Sequence, residues 1–149
     1  MKIRLVTEIN KSFDFVSAHF DRKLFSFLLP PKSVAKLIGY VGFSPGDQVH
    51  IQFKLPWSAD WISQITSTRV NSEVFEFVDI GAKLPYGLRG WEHQHLVEKR
   101  GNDLTLIVDN MNFKTGCRVM DWLYYPILFM VFYPRKAQYK TYYDEMIHP

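Results

Sequence analysis

The sequence predicts an α+β protein with one curved antiparallel sheet of about six or seven strands and a long C-terminal helix. The central part of the chain consists of segments in which apolar and polar residues alternate, separated by turn residues, and this pattern is typical of strands joined in hairpins. Helical spacing of apolar residues occurs only after the first strand and again near the C-terminal end. Because the helices are grouped at the two ends of the chain, we expect them to pack on a consecutive antiparallel sheet.

The N-terminal part of the chain predicts one strand followed by two short helices. Residues 2–10 alternate as a strand, and residues 12–29 then change to helical spacing. Ser12 is a plausible N-cap, and Asp21 is a candidate start for a second short helix. The proline pair at residues 30–31 ends this segment, because neither proline can continue a helix.

The middle of the chain predicts six further strands. Turn signals lie at Ser44-Pro45-Gly46-Asp47, at Asn71-Ser72 and at Gly101-Asn102. The predicted strands are residues 36–43, 48–55, 61–70, 73–80, 92–99 and 104–113.

The C-terminal segment, roughly residues 126–146, predicts the long helix, with Pro134 either kinking it or marking where it begins again. The longest apolar run, residues 122–133, is shorter than the roughly 20 residues that a membrane span needs. We therefore interpret this run as a buried element and expect no integral association with a membrane.

Composition restricts the class of protein. The 149 residues suit a single domain, residues 1–149, and an aromatic content of 16% suits a large core or an internal cavity. A net charge of +3, with only short basic pairs such as Arg135-Lys136, predicts a solvated surface and no nucleic-acid partner. The single cysteine, Cys117, excludes an internal disulfide, and the N-terminus lacks the apolar block of a signal peptide, so we expect a cytoplasmic protein. The sequence leaves monomer and homodimer open.

One strand near the Gly101-Asn102 turn has an unusual face. Successive side chains of a strand point to opposite sides, so Trp91, His93, His95 and Val97 share one face. One indole and two imidazoles on one face predict a strand whose inner side lines a polar part of the interior.

His93 and His95 are candidate ligands of a metal ion, with Asp109 on the next strand as a candidate third ligand. The same residues are candidate general acids and bases. A three-residue loop at residues 100–102 would place His93 opposite Asp109, whereas the statistically stronger two-residue loop, Gly101-Asn102, would place it opposite Asn110. We favour histidines that form hydrogen bonds in a cavity wall, and we expect neither a metal nor a cofactor.

The order of elements, together with four segments, resembles the START-like (SRPBCC) superfamily and its helix-grip fold. These segments are Pro85 to Trp91, the His-x-His strand, Asp109 to Phe113, and Phe132 to Arg135. Within that superfamily the chain looks closest to the bacterial polyketide cyclase/dehydrase and lipid-transport branch. The resemblance implies a cavity between sheet and C-terminal helix that holds a hydrophobic ligand.

We therefore expect a protein that binds a hydrophobic or aromatic small molecule, such as a lipid, a polyketide or an isoprenoid. An enzyme of the cyclase or dehydratase type is one alternative. A protein-interaction module anchored by Trp57, Trp61 and Tyr86 is another. The candidate ligand-binding residues are Phe53, Phe75, Phe77, Trp91, His93, His95, Phe113, Tyr139, Tyr142 and Tyr143.

Overall fold

A computed structural model describes residues 1–146, which form one seven-stranded sheet and four helices. The elements are β1 (Lys2–Ile9), α1 (Phe13–Ala18), α2 (Arg22–Leu28), β2 (Ala35–Tyr40), β3 (Gln48–Phe53), β4 (Ala59–Val70), β5 (Val74–Lys83), β6 (Gly90–Lys99), β7 (Thr105–Lys114), α3 (Arg118–Phe132) and α4 (Arg135–Glu145). The strand order is β1-β7-β6-β5-β4-β3-β2, and every neighbouring pair is antiparallel. The predicted α+β helix-grip architecture is confirmed.

The two short helices after β1 begin at the residues that the sequence indicates. The Ser12 side chain accepts a hydrogen bond from the backbone nitrogen of Phe15 at 3.3 Å. The Asp21 carboxylate accepts bonds from the backbone nitrogens of Lys23 and Leu24 at 2.8 and 3.0 Å. Each cap satisfies backbone donors that the first turn of a helix leaves without partners.

The C-terminal helix begins earlier than the sequence suggests. A start at Pro126 is wrong, because Pro126 lies inside α3. The first turn of α3 is held by Asp121, whose carboxylate accepts bonds from the backbone nitrogen and the hydroxyl of Thr115 at 2.6 and 2.8 Å. A proline removes only one backbone donor, and packing on the sheet outweighs that loss. Pro134 separates α3 from α4, which agrees with the expectation that it marks where the helix begins again.

The interpretation of residues 122–133 as a buried element is also wrong for most of its length. Among the residues of α3, only Leu128 and Phe132 are buried, whereas the side chains of Trp122 and Met130 are 68% and 66% exposed. A helix that packs on one sheet buries only one stripe of its surface, whatever the composition of the others. Within residues 1–146, none of the helices combines the length and the apolar character needed to cross a bilayer.

The inner face of the sheet carries two regions of packed side chains. One contains α1, α2 and α4, with Tyr139 and Tyr143 fully buried at its centre. The other contains α3 together with the two buried indoles of Trp61 and Trp91. Irregular register between β2 and β3 and between β4 and β5 bends the strands, which allows one sheet to cover both regions.

Neither predicted register of the β6–β7 hairpin occurs. Lys99 pairs with Thr105, so each residue of β6 lies opposite a residue of β7 that is one position later than in the two-residue register. His95 lies opposite Asp109, and His93 lies opposite Met111. The two-residue loop would have turned Asn110 inward. The observed register instead turns the apolar residues of β7 inward, because a shift of one residue exchanges the faces of a strand.

Candidate functional site

A cavity of about 300 Å³ lies between the inner face of the sheet and α3, and it is partly open to solvent. Most of its wall is apolar, and α3 closes one side with Leu128, Val131 and Phe132. The strands contribute the polar residues Ser63, Asp79, His93 and His95. The remaining lining residues are Phe25, Leu29, Pro30, Val34, Tyr40, Phe43, Val49, Ile51, Phe53, Leu55, Pro56, Trp61, Ile65, Phe77, Tyr86, Leu88, Trp91, Tyr124, Ile127 and Arg135.

Two histidines and two aspartates from three adjacent strands form a buried cluster, which we call the His–Asp cluster: Asp79 on β5, His93 and His95 on β6, and Asp109 on β7. All four side chains are less than 10% exposed. His93 Nε2 lies 2.9 Å from Asp109 Oδ1 in a hydrogen bond, and His93 Nδ1 lies 3.9 Å from Asp79 Oδ2. His95 Nε2 lies 3.3 Å from Asp79 Oδ2, and His95 Nδ1 lies 3.2 Å from Asp109 Oδ1 without hydrogen-bond geometry. Each imidazole is thus flanked by both carboxylates.

Strand register brings the cluster together. Asp79 pairs with His93 across β5 and β6, and His95 pairs with Asp109 across β6 and β7. The other contacts are diagonal, between residues two positions from direct pairs, which long side chains on one face can reach. His93 therefore contacts Asp109, as one of the two predicted registers implied, although neither register was correct.

The charges of the cluster follow from burial and proximity. Burial and the neighbouring His95 lower the pKa of His93, so this imidazole is neutral near pH 7. Burial alone would lower the pKa of His95, but the carboxylates of Asp109 and Asp79 outweigh it and raise that pKa above the ordinary value. Burial would raise the pKa of Asp109, but its contacts with both imidazoles hold it well below the usual range.

Two residues of α4 complete the polar surroundings. The Tyr139 hydroxyl, fully buried, donates to Asp109 Oδ1 at 3.4 Å, and burial raises the pKa of Tyr139 well above its ordinary value. Arg135 lines the cavity at 8% exposure, and its guanidinium carbon lies 4.3 Å from the centre of the Phe132 ring. Within residues 1–146, no carboxylate lies within ion-pair distance of Arg135.

The structure divides the ligand-binding residues expected from the sequence into two groups. Phe53, Phe77, Trp91, His93 and His95 line the cavity. The others lie in packed regions or behind the wall, and these are Phe75, Phe113, Tyr139, Tyr142, Tyr143 and the candidate catalytic residue Asp109. The side of the cavity that was expected from Tyr139, Tyr142 and Tyr143 is formed mainly by α3 instead, because Pro134 divides the C-terminal helix and, of the residues of α4, Arg135 alone lines the cavity.

Sequence reasoning missed Asp79 and Arg135. A signal for Asp79 existed, because it follows Phe75 and Phe77 at intervals of two and must share their inward face. Arg135 carried no such signal. The expectation that Arg135-Lys136 forms solvated surface is wrong for Arg135, which is buried at the start of α4 with its guanidinium over the Phe132 ring.

The three aromatic residues proposed as anchors for a protein partner do not form one exposed group. Trp57 is 62% exposed, but Trp61 is only 9% exposed and lines the cavity. Tyr86 is partly covered by Trp57, with ring centres 5.2 Å apart. Trp61 is excluded as a surface anchor because it packs edge-on against Trp91 at 4.8 Å.

Comparison with known proteins supports the fold. No family model matches the sequence, and a search of curated proteins finds no significant match. Among solved structures, the Zhui aromatase/cyclase from Streptomyces sp. R1128 has a TM-score of 0.75 at 8% identity, covering 99% of this chain and 96% of that chain. Norcoclaurine synthase from Thalictrum flavum, in complex with dopamine and hydroxybenzaldehyde, has a TM-score of 0.69 at 15% identity, covering 100% and 88%. A START superfamily protein from Mycobacterium smegmatis has a TM-score of 0.61 at 10% identity, covering 94% and 97%. The predicted START-like resemblance is confirmed at the level of fold.

Proposed function

We propose that this START-like fold binds an apolar or aromatic small molecule that carries one anionic or acceptor group, with the apolar part held in the cavity. Lipids, polyketides and isoprenoid-like acids belong to this class. The observation that carries the proposal is a cavity of about 300 Å³ whose wall is apolar apart from a few convergent polar side chains. Such a combination is typical of sites for small molecules.

Arg135 indicates the chemistry of the polar group. A buried guanidinium without a carboxylate partner is costly, and an anionic or acceptor group of a ligand would offset that cost. Contact with the Phe132 ring also holds the guanidinium in place, because a cation over an aromatic face is stabilised. A ligand with its polar group at Arg135 would lay its apolar part along the aromatic wall.

The similar folds support a ligand of this size. Norcoclaurine synthase has been solved with dopamine and hydroxybenzaldehyde, both small aromatic molecules, and the Zhui protein is described as an aromatase/cyclase. One fold hosts many functions, so these proteins support the proposal that the cavity binds a small molecule, and the identity of that molecule has to be determined by experiment.

Filling the cavity should abolish binding of an apolar probe. Val49 is 6% exposed and lines the cavity, so Val49→Trp would place an indole in the ligand's space. We expect the fluorescence enhancement of the neutral probe N-phenyl-1-naphthylamine to fall at least about tenfold in this variant. Val119→Trp adds the same side chain at a 69% exposed position outside the cavity, and it should leave the cavity signal intact. Equal probe binding by a folded Val49→Trp and the parent protein would contradict the proposal, and native mass spectrometry of protein from its host would identify the ligand itself.

Removing the Arg135 charge should weaken binding of an anionic aromatic probe selectively. We expect Arg135→Met to reduce the affinity for 1-anilinonaphthalene-8-sulfonate about 10- to 100-fold and to leave the affinity for neutral N-phenyl-1-naphthylamine almost unchanged. A charged hydrogen bond is worth about 1.5–3 kcal/mol, which corresponds to this range. Lys136→Met removes the neighbouring cation, which lies 5.8 Å from the Tyr133 ring, and serves as the matched control. Parallel losses for both probes would show that Arg135 has only a structural role.

An enzyme of the cyclase or dehydratase type is the second candidate. It is favoured by the position of His93 and His95 on the cavity wall, where their imidazoles would contact a bound substrate. An imidazole in that position can exchange a proton with a reacting group. Unchanged turnover of an identified substrate by His93→Ala and His95→Ala would eliminate this candidate.

A further inference from the structure

We propose that Asp79, His93 and His95 form a binding site for one divalent transition-metal ion, such as Zn²⁺, on the wall of the cavity, with Asp109 orienting both imidazoles. This site goes beyond the binding of an apolar molecule and does not require that one be bound. It also revises the expectation from sequence that the protein holds no metal.

The three side chains present one donor atom each at a suitable spacing. Asp79 Oδ2 lies 3.3 Å from His95 Nε2 and 3.9 Å from His93 Nδ1, and a set of one donor atom from each of the three residues lies within 4.8 Å. Ligand atoms about 2.0–2.2 Å from a tetrahedral ion are about 3.3–3.6 Å apart. Asp79 Oδ2 and His95 Nε2 are already at that spacing, and a shift of His93 Nδ1 toward Asp79 Oδ2 by a few tenths of an ångström would bring this pair to it as well.

Asp109 occupies the position that an orienting carboxylate takes behind metal-bound histidines. The ring nitrogens that face away from Asp79 are His93 Nε2 and His95 Nδ1, and they lie 2.9 and 3.2 Å from the same oxygen of Asp109. Metal-bound histidines commonly donate their second N–H to a carboxylate, which selects the tautomer and holds the ring. Here the Asp109 carboxylate is hydrogen-bonded to His93 Nε2 and lies 3.2 Å from His95 Nδ1, which leaves His93 Nδ1 and His95 Nε2 directed to Asp79.

Hydrogen bonds alone leave this cluster incomplete. The 3.9 Å between His93 Nδ1 and Asp79 Oδ2 is beyond hydrogen-bond distance, and the buried His95 Nδ1 has no hydrogen-bond partner among residues 1–146. A partly satisfied polar network in a buried position is costly. A cation between the three donors would coordinate His93 Nδ1 and offset the charge of two adjacent carboxylates.

The ligand set also indicates the kind of ion and its accessibility. Two imidazoles and one carboxylate suit Zn²⁺, Fe²⁺ or Co²⁺ rather than Ca²⁺ or Mg²⁺. All three residues line the cavity, so the remaining coordination positions would face a bound small molecule or water. The single thiol, Cys117, is exposed and lies outside the cavity wall.

The test is titration of the chelator-treated protein with Co²⁺ and then Zn²⁺. Cys117→Ser is used as the parent, so that the exposed thiol does not contribute. We expect one equivalent of Co²⁺ to produce visible absorption bands, Zn²⁺ to displace it, and the thermal midpoint to rise with either ion. NMR of the Co²⁺ form should show two exchangeable hyperfine-shifted imidazole N–H signals, one for each ring nitrogen that faces Asp109. A parent protein that binds no ion stoichiometrically, or that shows no such signals, overturns the proposal.

Variants then locate the site. Asp79→Asn and His95→Gln should lower the Co²⁺ affinity at least about 100-fold, and Asp109→Asn about 10- to 100-fold. The matched control is His50→Gln, because His50 also contacts an aspartate, Asp60, at 3.0 Å, but both side chains are about 30% exposed and lie outside the cavity wall. Loss of binding in His50→Gln, or affinity equal to the parent in folded Asp79→Asn and His95→Gln, overturns the site. If those variants do not fold, the NMR signals of the parent still decide the question, and the dye experiments above report separately on ligand binding.

Discussion

Asp109→Ala is expected to lower the free energy of unfolding by about 3–5 kcal/mol, measured by urea denaturation with a chelator present. Asp109 is 2% exposed and lies 2.9 Å from His93 Nε2 and 3.2 Å from His95 Nδ1. Its removal leaves the two imidazoles with one neighbouring carboxylate, that of Asp79, instead of two. It also removes the acceptor of the Tyr139 hydroxyl.

The control for this prediction is Asp60→Ala. Asp60 also contacts a histidine and a lysine, His50 at 3.0 Å and Lys83 at 2.8 Å, but it lies near the surface, where water screens and replaces such contacts. We expect its denaturation midpoint to change little. A small effect of Asp109→Ala, comparable with that of Asp60→Ala, would show that the buried carboxylate does not stabilise the fold through the imidazoles.

Trp91→Ala is expected to lower the free energy of unfolding by a similar amount, about 3–5 kcal/mol, because it removes a large side chain from the wall between cavity and core. The indole is 6% exposed, packs edge-on against Trp61 at 4.8 Å, and stacks on Phe132 at 5.4 Å. Its loss would enlarge the existing cavity, and the rings of Trp61 and Phe132 would lose their van der Waals contacts with the indole.

Trp57→Ala provides the comparison, since this indole is 62% exposed and contacts mainly Tyr86. We expect a change below about 1 kcal/mol. Trp91→Phe should give a value between those of Trp91→Ala and the parent. If Trp91→Ala and Trp57→Ala had equal effects, the packing of Trp91 against α3 would contribute nothing to stability.

The helix starts of the N-terminal part were predictable because their signals are local. Ser12 and Asp21 each accept hydrogen bonds from backbone nitrogens two or three residues away, so residue type and spacing suffice. The start of α3 was not, since the proline at 126 is a stronger local signal than the Asp121 carboxylate that anchors the first turn.

The inward face of β7 could have been predicted from the sequence, but the turn signal was given more weight than the alternation of residues along the strand. The Gly101-Asn102 pair suggested a two-residue loop, but that loop would have turned Asn110 inward, whereas Met111 and Phe113 are the residues found there. Alternation along β7 was the stronger constraint, because it sets the burial of a whole strand, whereas a turn type concerns a few residues.

The sequence by itself determined the strand pattern, the helices at the two ends, and the inward face that carries His93 and His95. These features depend on periodicity within single segments, which the residues record directly. Only the tertiary structure decided that Asp79 and Asp109 flank both imidazoles, and that Arg135 lies in the cavity wall instead of on the surface. Both results depend on strand register and on the helix break at Pro134, which bring together residues distant in sequence. The polar face of β6 is therefore one part of the His–Asp cluster, and the chemistry of that cluster depends on side chains from β5, β6 and β7.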